Sequence, residues 1–139
     1  MIILRKTLFL IYIIGFFLVF QGCSKDKTVS TVTGLKYTEI AEGTGKSALK
    51  GNTVVVNFIG TLPDGTEIDN TYKTGIPLEF KINDGMVIKG LNEGVLGMKP
   101  GGKRKLIIPG DLGYGPEGAG SKIPGNSFLL FDVELLEVK

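Results

Sequence analysis

The apolar positions of this chain change period several times, and each change marks an element. Thr53-Val54-Val55-Val56-Asn57-Phe58-Ile59-Gly60-Thr61-Leu62 is rich in β-branched and aromatic residues and predicts a strand. Pro63-Asp64-Gly65 is a turn signal, because Pro presets φ and Gly accepts a positive one. Thr66-Glu67-Ile68-Asp69 then returns, which predicts a hairpin. Asn70 to Pro77 reads as a loop, and Leu78-Glu79-Phe80-Lys81-Ile82 alternates as a strand with one buried face. At Val87 the period lengthens. Val87, Ile88, Leu91 and Val95 recur at helical spacing and line one face of a short helix. Gly90, Gly94 and Gly97 each weaken such a helix by about 1 kcal/mol relative to Ala. The expectation is a helix held in place by the sheet and packed closely against neighbouring backbone. After the Pro100-Gly101 turn, Lys105-Leu106-Ile107-Ile108 reads as a strand, and Ser127 to Val138 is a strong final one. Gly34 to Ile40 alternates weakly and is a candidate first strand. Pro109 to Asn126 is a long loop with six glycines and three prolines, of the kind that is often functional in a compact domain. The fold class expected is α+β: an antiparallel sheet of five or six strands with one short helix packed on it.

The first residues stand apart from this pattern. Arg5 and Lys6 precede the apolar run TLFLIYIIGFFLVF, and Gln21-Gly22-Cys23 leads into polar sequence. The run is shorter than the ~20 residues a spanning helix usually needs, and the arrangement reads as a secretory signal. The only Cys of the chain, Cys23, stands where bacterial lipoprotein signals place theirs. The expectation is a signal over residues 1–22, cleavage before Cys23, and lipidation (palmitate among the acyl groups) of that residue. Phe20 and Gln21 fit the lipobox imperfectly; an ordinary cleaved signal or an uncleaved anchor are the alternatives. Residues 23–33 read as a flexible tether, and residues 34–139 as one domain with its core in 51–139. The expected location is extracytoplasmic, held at a bacterial membrane by the lipid.

The formal charge of +2 is carried by the signal: without Arg5 and Lys6, 14 basic residues face 14 acidic ones. A general attraction to nucleic acid is therefore not expected. Lys103-Arg104-Lys105 is the one basic run and reads as a solvated strand edge. There is no His and a single Cys, which excludes His acid–base chemistry, His or Cys-cluster metal sites and an intrachain disulfide. No metal or cofactor is expected. Glu42 to Ser47 has the wrong spacing for a phosphate loop. Asp69, Asp111 and Asp132 lie on different elements, with nothing to bring two of them to one scissile bond.

What remains is an apolar set: Phe58, Phe80, Val87, Ile88, Leu91, Tyr114, Ile123 and Phe131. Taken singly, each reads as hydrophobic core. Tyr114 differs, because Gly113 and Gly115 flank it in the long loop, where its hydroxyl could donate to a carbonyl.

Three blocks, Thr53–Asp69, Val87–Gly115 (VIKGLNEGVLGMKPGGKRKLIIPGDLGYG) and Phe128–Val138 (FLLFDVELLEV), resemble those of the FKBP-type peptidyl-prolyl isomerases in order and spacing. The length of the Asp69–Pro77 loop and the position of Ile123-Pro124 also fit. The resemblance covers residues 34–139 and implies a twisted antiparallel sheet wrapped over a short helix, with the pocket between them. It implies rotamase activity on proline-containing proteins, without a cofactor, and the signal makes exported proteins the expected clients. By position it makes Tyr114, Asp69 and the Ile88 N–H the catalytic elements. Phe58, Ile68, Leu78, Phe80, Val87, Leu91, Ile123 and Phe131 would bind substrate. Leu91 stands where Trp is usual, Phe58 where Tyr is, Ile68 and Leu78 where Phe is common, and Thr74 where an Arg often pairs with the carboxylate. The pocket is thus less aromatic than is usual, which leaves turnover and macrolide affinity as expectations. The alternative is a membrane-tethered chaperone or peptide-binding module with negligible turnover. Larger secreted relatives carry an N-terminal dimerisation region for which residues 24–33 are too short, so a monomer is expected.

Overall fold

The computed structural model describes residues 27–139. The signal, Cys23 and the first part of the expected tether lie outside the described residues. In chain order the elements are β1 (Thr28–Ser30), β2 (Lys36–Ala41), β3 (Thr53–Thr61), β4 (Glu67–Asn70), α1 (Thr71–Thr74), β5 (Leu78–Lys81), α2 (Lys89–Val95), β6 (Lys103–Ile108) and β7 (Leu129–Val138). All seven strands join one antiparallel sheet in the order β1-β2-β6-β7-β3-β4, with β5 paired to β3. The α+β architecture matches the expectation, with one strand more.

The extra strand is β1, inside the stretch read as a tether. Thr28 and Val29 pair with Thr38 and Tyr37, and the hydroxyls of Thr28 and Thr38 lie 2.8 Å apart. Downstream of β1, Thr33 donates to the Glu93 carboxylate on α2 at 2.8 Å. A lack of apolar periodicity hid this strand, because it is held by ladder bonds to the edge of β2 and not by burial.

The core follows from strict alternation. On β3, Val54, Val56, Phe58 and Gly60 face inward; on β7, Leu129, Phe131, Val133 and Leu135 do. Both strands pair along most of their length, from Val54↔Val138 to Thr61↔Leu130. The turn between β3 and β4 is closed by Gly65 N–H donating to Leu62 O and by Thr66 N–H donating to the Asp64 carboxylate. Gly65 has φ +90°, the left-handed value that favours glycine.

Helix α2 lies across β6. A Cβ on Gly90 would come within 2.4 Å of Ile108 Cγ2, and one on Gly94 within 2.3 Å of Leu106 Cδ1. The glycines are thus required by close approach, as expected, although the atoms they admit belong to side chains and not to backbone. Leu91 and Val95 complete the buried face of the helix.

Arg104 departs from the solvated edge expected for the basic run. Strand alternation exposes Lys103 and Lys105 but turns Arg104 inward, to 8% exposure. Its Nη1 donates to the carbonyls of Gly94 (3.0 Å) and Leu96 (2.7 Å), which α2 leaves unpaired at its C-terminal end. Its Nε donates to Glu39 at 2.6 Å, and the guanidinium lies 4.5 Å from the Tyr37 ring centroid. A cation at this end also complements the helix dipole.

Candidate active site

Between the sheet, the N-terminal end of α2 and two loops lies a cavity of about 530 Å³. Phe58 and Phe131 form its back wall from the neighbouring strands β3 and β7. Their rings are stacked with centroids 5.1 Å apart and planes 4° from parallel, an offset arrangement that suits aromatic quadrupoles. Leu91 closes the cavity from α2, and Ile68 and Leu78 line it from the β4 and β5 side.

The segment before α2 carries Gly85, Met86, Val87 and Ile88 to the rim. It is latched by Asn92, which is 5% exposed on α2. The Asn92 Oδ1 accepts from the Asn83 N–H at 2.9 Å, and its Nδ2 donates to the Val87 carbonyl at 3.3 Å. One buried amide thus ties both ends of the segment to the helix. The Ile88 carbonyl accepts from Leu91 and Asn92, while the Ile88 N–H donates to no described backbone group. Among the described residues it is a free donor beside an apolar cavity.

The long loop is a built structure and not a slack one. It makes short 3₁₀ turns over Gly110–Leu112 and Gly115–Glu117. Ala119 and Ile123 then exchange backbone bonds of 2.9 and 3.1 Å, and the Asn126 N–H donates to Gly115 O at 2.8 Å. A Cβ on Gly125 would come within 2.0 Å of Pro116 O, so the loop's two limbs meet through glycine. This folding turns Ile123 down into the cavity at 8% exposure and leaves Tyr114 at its mouth, 42% exposed. Among the described residues the Tyr114 hydroxyl has no hydrogen-bond partner.

Among the described residues Asp69 is the one charged residue of the lining. Its carboxylate accepts from the Asn70 N–H at 2.8 Å. Asn70 in turn caps α1, accepting from the Tyr72 and Lys73 N–H groups. Thr71 receives the Phe58 N–H at 2.9 Å, which ties this corner to the aromatic wall. Thr74, at the position where the resemblance places an arginine in other members, donates to Thr71 O at 3.0 Å inside α1. The helical turn α1 itself lay in what read as a plain loop.

The structure therefore brings together Tyr114, Asp69, Ile88, Phe58, Ile68, Leu78, Val87, Leu91, Ile123 and Phe131 around one cavity. Phe80 is not part of it. It is 1% exposed in the core, opposite Val54, whereas Leu78 lies opposite Val56 at the pocket end of the same strand. Sequence alternation assigned Phe80 to the correct face but could not say how far along the strand the pocket extends. Met86 and Asn92 were missed: Met86 had no periodic signal, and Asn92 is a polar residue on an apolar helix face.

Comparison with known proteins extends this picture. The profile of the family described as FKBP-type peptidyl-prolyl cis-trans isomerase matches residues 45–136. The FK506-binding protein of Neisseria meningitidis serogroup B is 48% identical over 105 residues, 76% of this chain and 96% of that protein. FK506-binding protein 2 of Dictyostelium discoideum is 56% identical over 88 residues, 63% of this chain and 66% of the relative. The isomerase FkpA of Escherichia coli K12 is 51% identical over 117 residues, 84% of this chain but 42% of FkpA. The FkpA crystal structure superposes with a TM-score of 0.75 at 48% identity, covering 81% of this chain and 51% of that one. That of AtFKBP13 gives 0.75 at 37% identity, covering 81% and 99%. Fold, profile and identity agree over the same residues that build the cavity: the chain belongs to the FKBP-type peptidyl-prolyl cis-trans isomerase family.

Proposed function

We propose that this chain catalyses cis–trans rotation of X-Pro bonds in exported proteins, from a lipid anchor on Cys23 outside the cytoplasm. The observation that carries the reading is the juxtaposition of a stacked apolar wall with a hydroxyl and an N–H that have no partner among the described residues, and with a carboxylate. Rotation about an amide meets a barrier of ~18–20 kcal/mol from resonance and breaks no bond, so no nucleophile is needed. The catalyst has only to bind the twisted amide better than either planar isomer. A planar amide is strongly dipolar and well hydrated; twisting decouples nitrogen from carbonyl and lowers the dipole. An apolar pocket walled by Phe58, Phe131 and Leu91 favours the twisted form. The Tyr114 hydroxyl and the Ile88 N–H donate to the flanking carbonyls and hold the peptide while the bond turns. Asp69, oriented by the Asn70 N–H, supplies the negative end of the site.

The replacements Leu91, Ile68 and Leu78 keep the pocket apolar but remove ring faces, so proline stacking and macrolide binding are weaker than in more aromatic family members. The chain works as a monomer, with unfolded or nascent proline-containing proteins as its clients.

The roles are tested with Tyr114→Phe and Asp69→Ala on a proline peptide. Tyr114→Phe should lower kcat/KM about tenfold, the loss of one hydrogen bond of ~1.4 kcal/mol, and Asp69→Ala by a similar factor through loss of the negative charge of the site. Unchanged catalysis in both would show that the reacting bond lies elsewhere. The anchor is tested separately: Cys23→Ser should release the protein from the membrane fraction, and retention there would count against lipidation.

A further inference from the structure

Met86 lines the pocket and is 63% exposed. Met98, the other methionine among the described residues, is 1% exposed in the core. A thioether is apolar and adaptable, well suited to the rim of an apolar site, but peroxide converts it to a polar sulfoxide. We propose that Met86 is a peroxide-sensitive modification site, and that its oxidation weakens the binding of prolyl peptides to the pocket. This inference rests on reading the cavity as the prolyl site. In the oxidation step a sulfur lone pair attacks one peroxide oxygen and an S–O bond forms as the O–O bond breaks. The departing oxygen takes up the protons. One thioether and one hydrogen peroxide become one sulfoxide and one water; sulfur loses two electrons and peroxide gains them.

The position makes the change consequential. Val87 and Ile88 follow Met86 directly, and the Asn92 amide holds the segment from Asn83 to Val87 against α2. The oxidised group therefore stays at the pocket, where a bound peptide would cover an oxygen that had been solvated by water. An acceptor deprived of water without a partner opposes binding. Met98 is shielded by burial, so modification is directed to the site that matters.

The test treats the full chain with dilute hydrogen peroxide. Peptide mapping by mass spectrometry locates the added oxygen, and fluorescence anisotropy follows a labelled proline-containing peptide. Oxygen should appear at Met86 well before Met98, and peptide affinity should fall about three- to tenfold, the effect of one poorly satisfied polar group at a partly open site. Methionine sulfoxide reductase should restore it. Met86→Leu, compared with its own untreated form, should keep its affinity through the same treatment, which removes any contribution of Cys23. Equal oxidation of Met98, unchanged affinity of the oxidised protein, or an equal loss in Met86→Leu each overturns the proposal. An isomerase assay on the same samples separates it from the reading beneath it. Oxidation-sensitive peptide binding without turnover sinks the isomerase reading and leaves the Met86 site standing. No peptide binding at all overturns both.

Discussion

Gly60 stands opposite Phe131 in the ladder between β3 and β7, and a Cβ there would lie 2.8 Å from the edge of the Phe131 ring. The same atom would be 3.1 Å from Ile68 Cγ1. A missing methyl on the central strand thus leaves room for two walls of the pocket. Gly60→Ala should force Phe131 out of its stack with Phe58. The expected result is a stability loss of about 1–3 kcal/mol from overpacking, read by urea denaturation, together with a raised KM for a proline peptide. An unaltered KM would mean that the stacked pair does not shape the binding surface.

The Asn92 latch is expected to act on binding more than on the fold as a whole. Asn92→Ala leaves the Asn83 N–H and the Val87 carbonyl without their partner, at a cost of about 1–3 kcal/mol. With the Val87 carbonyl released, the Val87–Ile88 peptide that bears the Ile88 N–H loses a restraint on its orientation, and KM should rise several-fold, about what loss of one oriented hydrogen bond gives. Separate measurement of kcat and KM checks this, with Asn92→Asp retaining the acceptor and so keeping the bond to Asn83.

Arg104 serves the end of α2 remote from the pocket. Arg104→Met keeps much of the apolar stem but abandons the Gly94 and Leu96 carbonyls, the Glu39 contact and the Tyr37 ring. Charged hydrogen bonds to buried carbonyls are strong, and a loss of about 3 kcal/mol is expected, seen as a lower Tm with KM little changed. A neutral effect would show that solvent satisfies those carbonyls after the substitution.

Tyr72 provides a titration signature. Partial burial raises its hydroxyl from 10.0 to about 12, helped by donation to Glu134 at 2.7 Å and by the charges of Glu134 and Asp132. The folded state therefore holds this proton more tightly than the unfolded state. The resulting contribution to stability is complete below pH 10 and is lost as pH rises from 10 to about 12. Ultraviolet titration of phenolate should show a late-ionising component that Tyr72→Phe removes, with a shallower alkaline fall in stability. A titration curve unaltered by the substitution would rule this out.

How far the sequence carried the reading depended on what held each residue. The strands β3 and β7 and the helix α2 announced themselves because burial imposes a period, and the residues of the pocket wall are those same periodic residues. Tyr114 was legible for the opposite reason: an aromatic ring between two glycines has no core to join. Features held by polar geometry left no such mark. The strand β1 depends on ladder bonds to β2, α1 on the Asn70 side chain, and the loop before α2 on Asn92. Arg104 looked like part of a solvated run because neither its charge nor its spacing reveals that α2 ends against it. Phe80 shows the remaining gap, since period identifies a face of the sheet and only the register against Val54 shows where on that face a residue sits.

The most direct test of the account is the effect of the full chain on the refolding of a client protein whose slow phase is an X-Pro isomerisation. Uncatalysed, that phase lasts tens to hundreds of seconds. The expected result is a slow phase whose rate rises in proportion to the added chain, with the rise largely lost in Tyr114→Phe and Asp69→Ala. A slow phase that keeps its uncatalysed rate at every concentration, while the chain still suppresses aggregation of a proline-free client, would contradict the isomerase account and leave a binding module in its place.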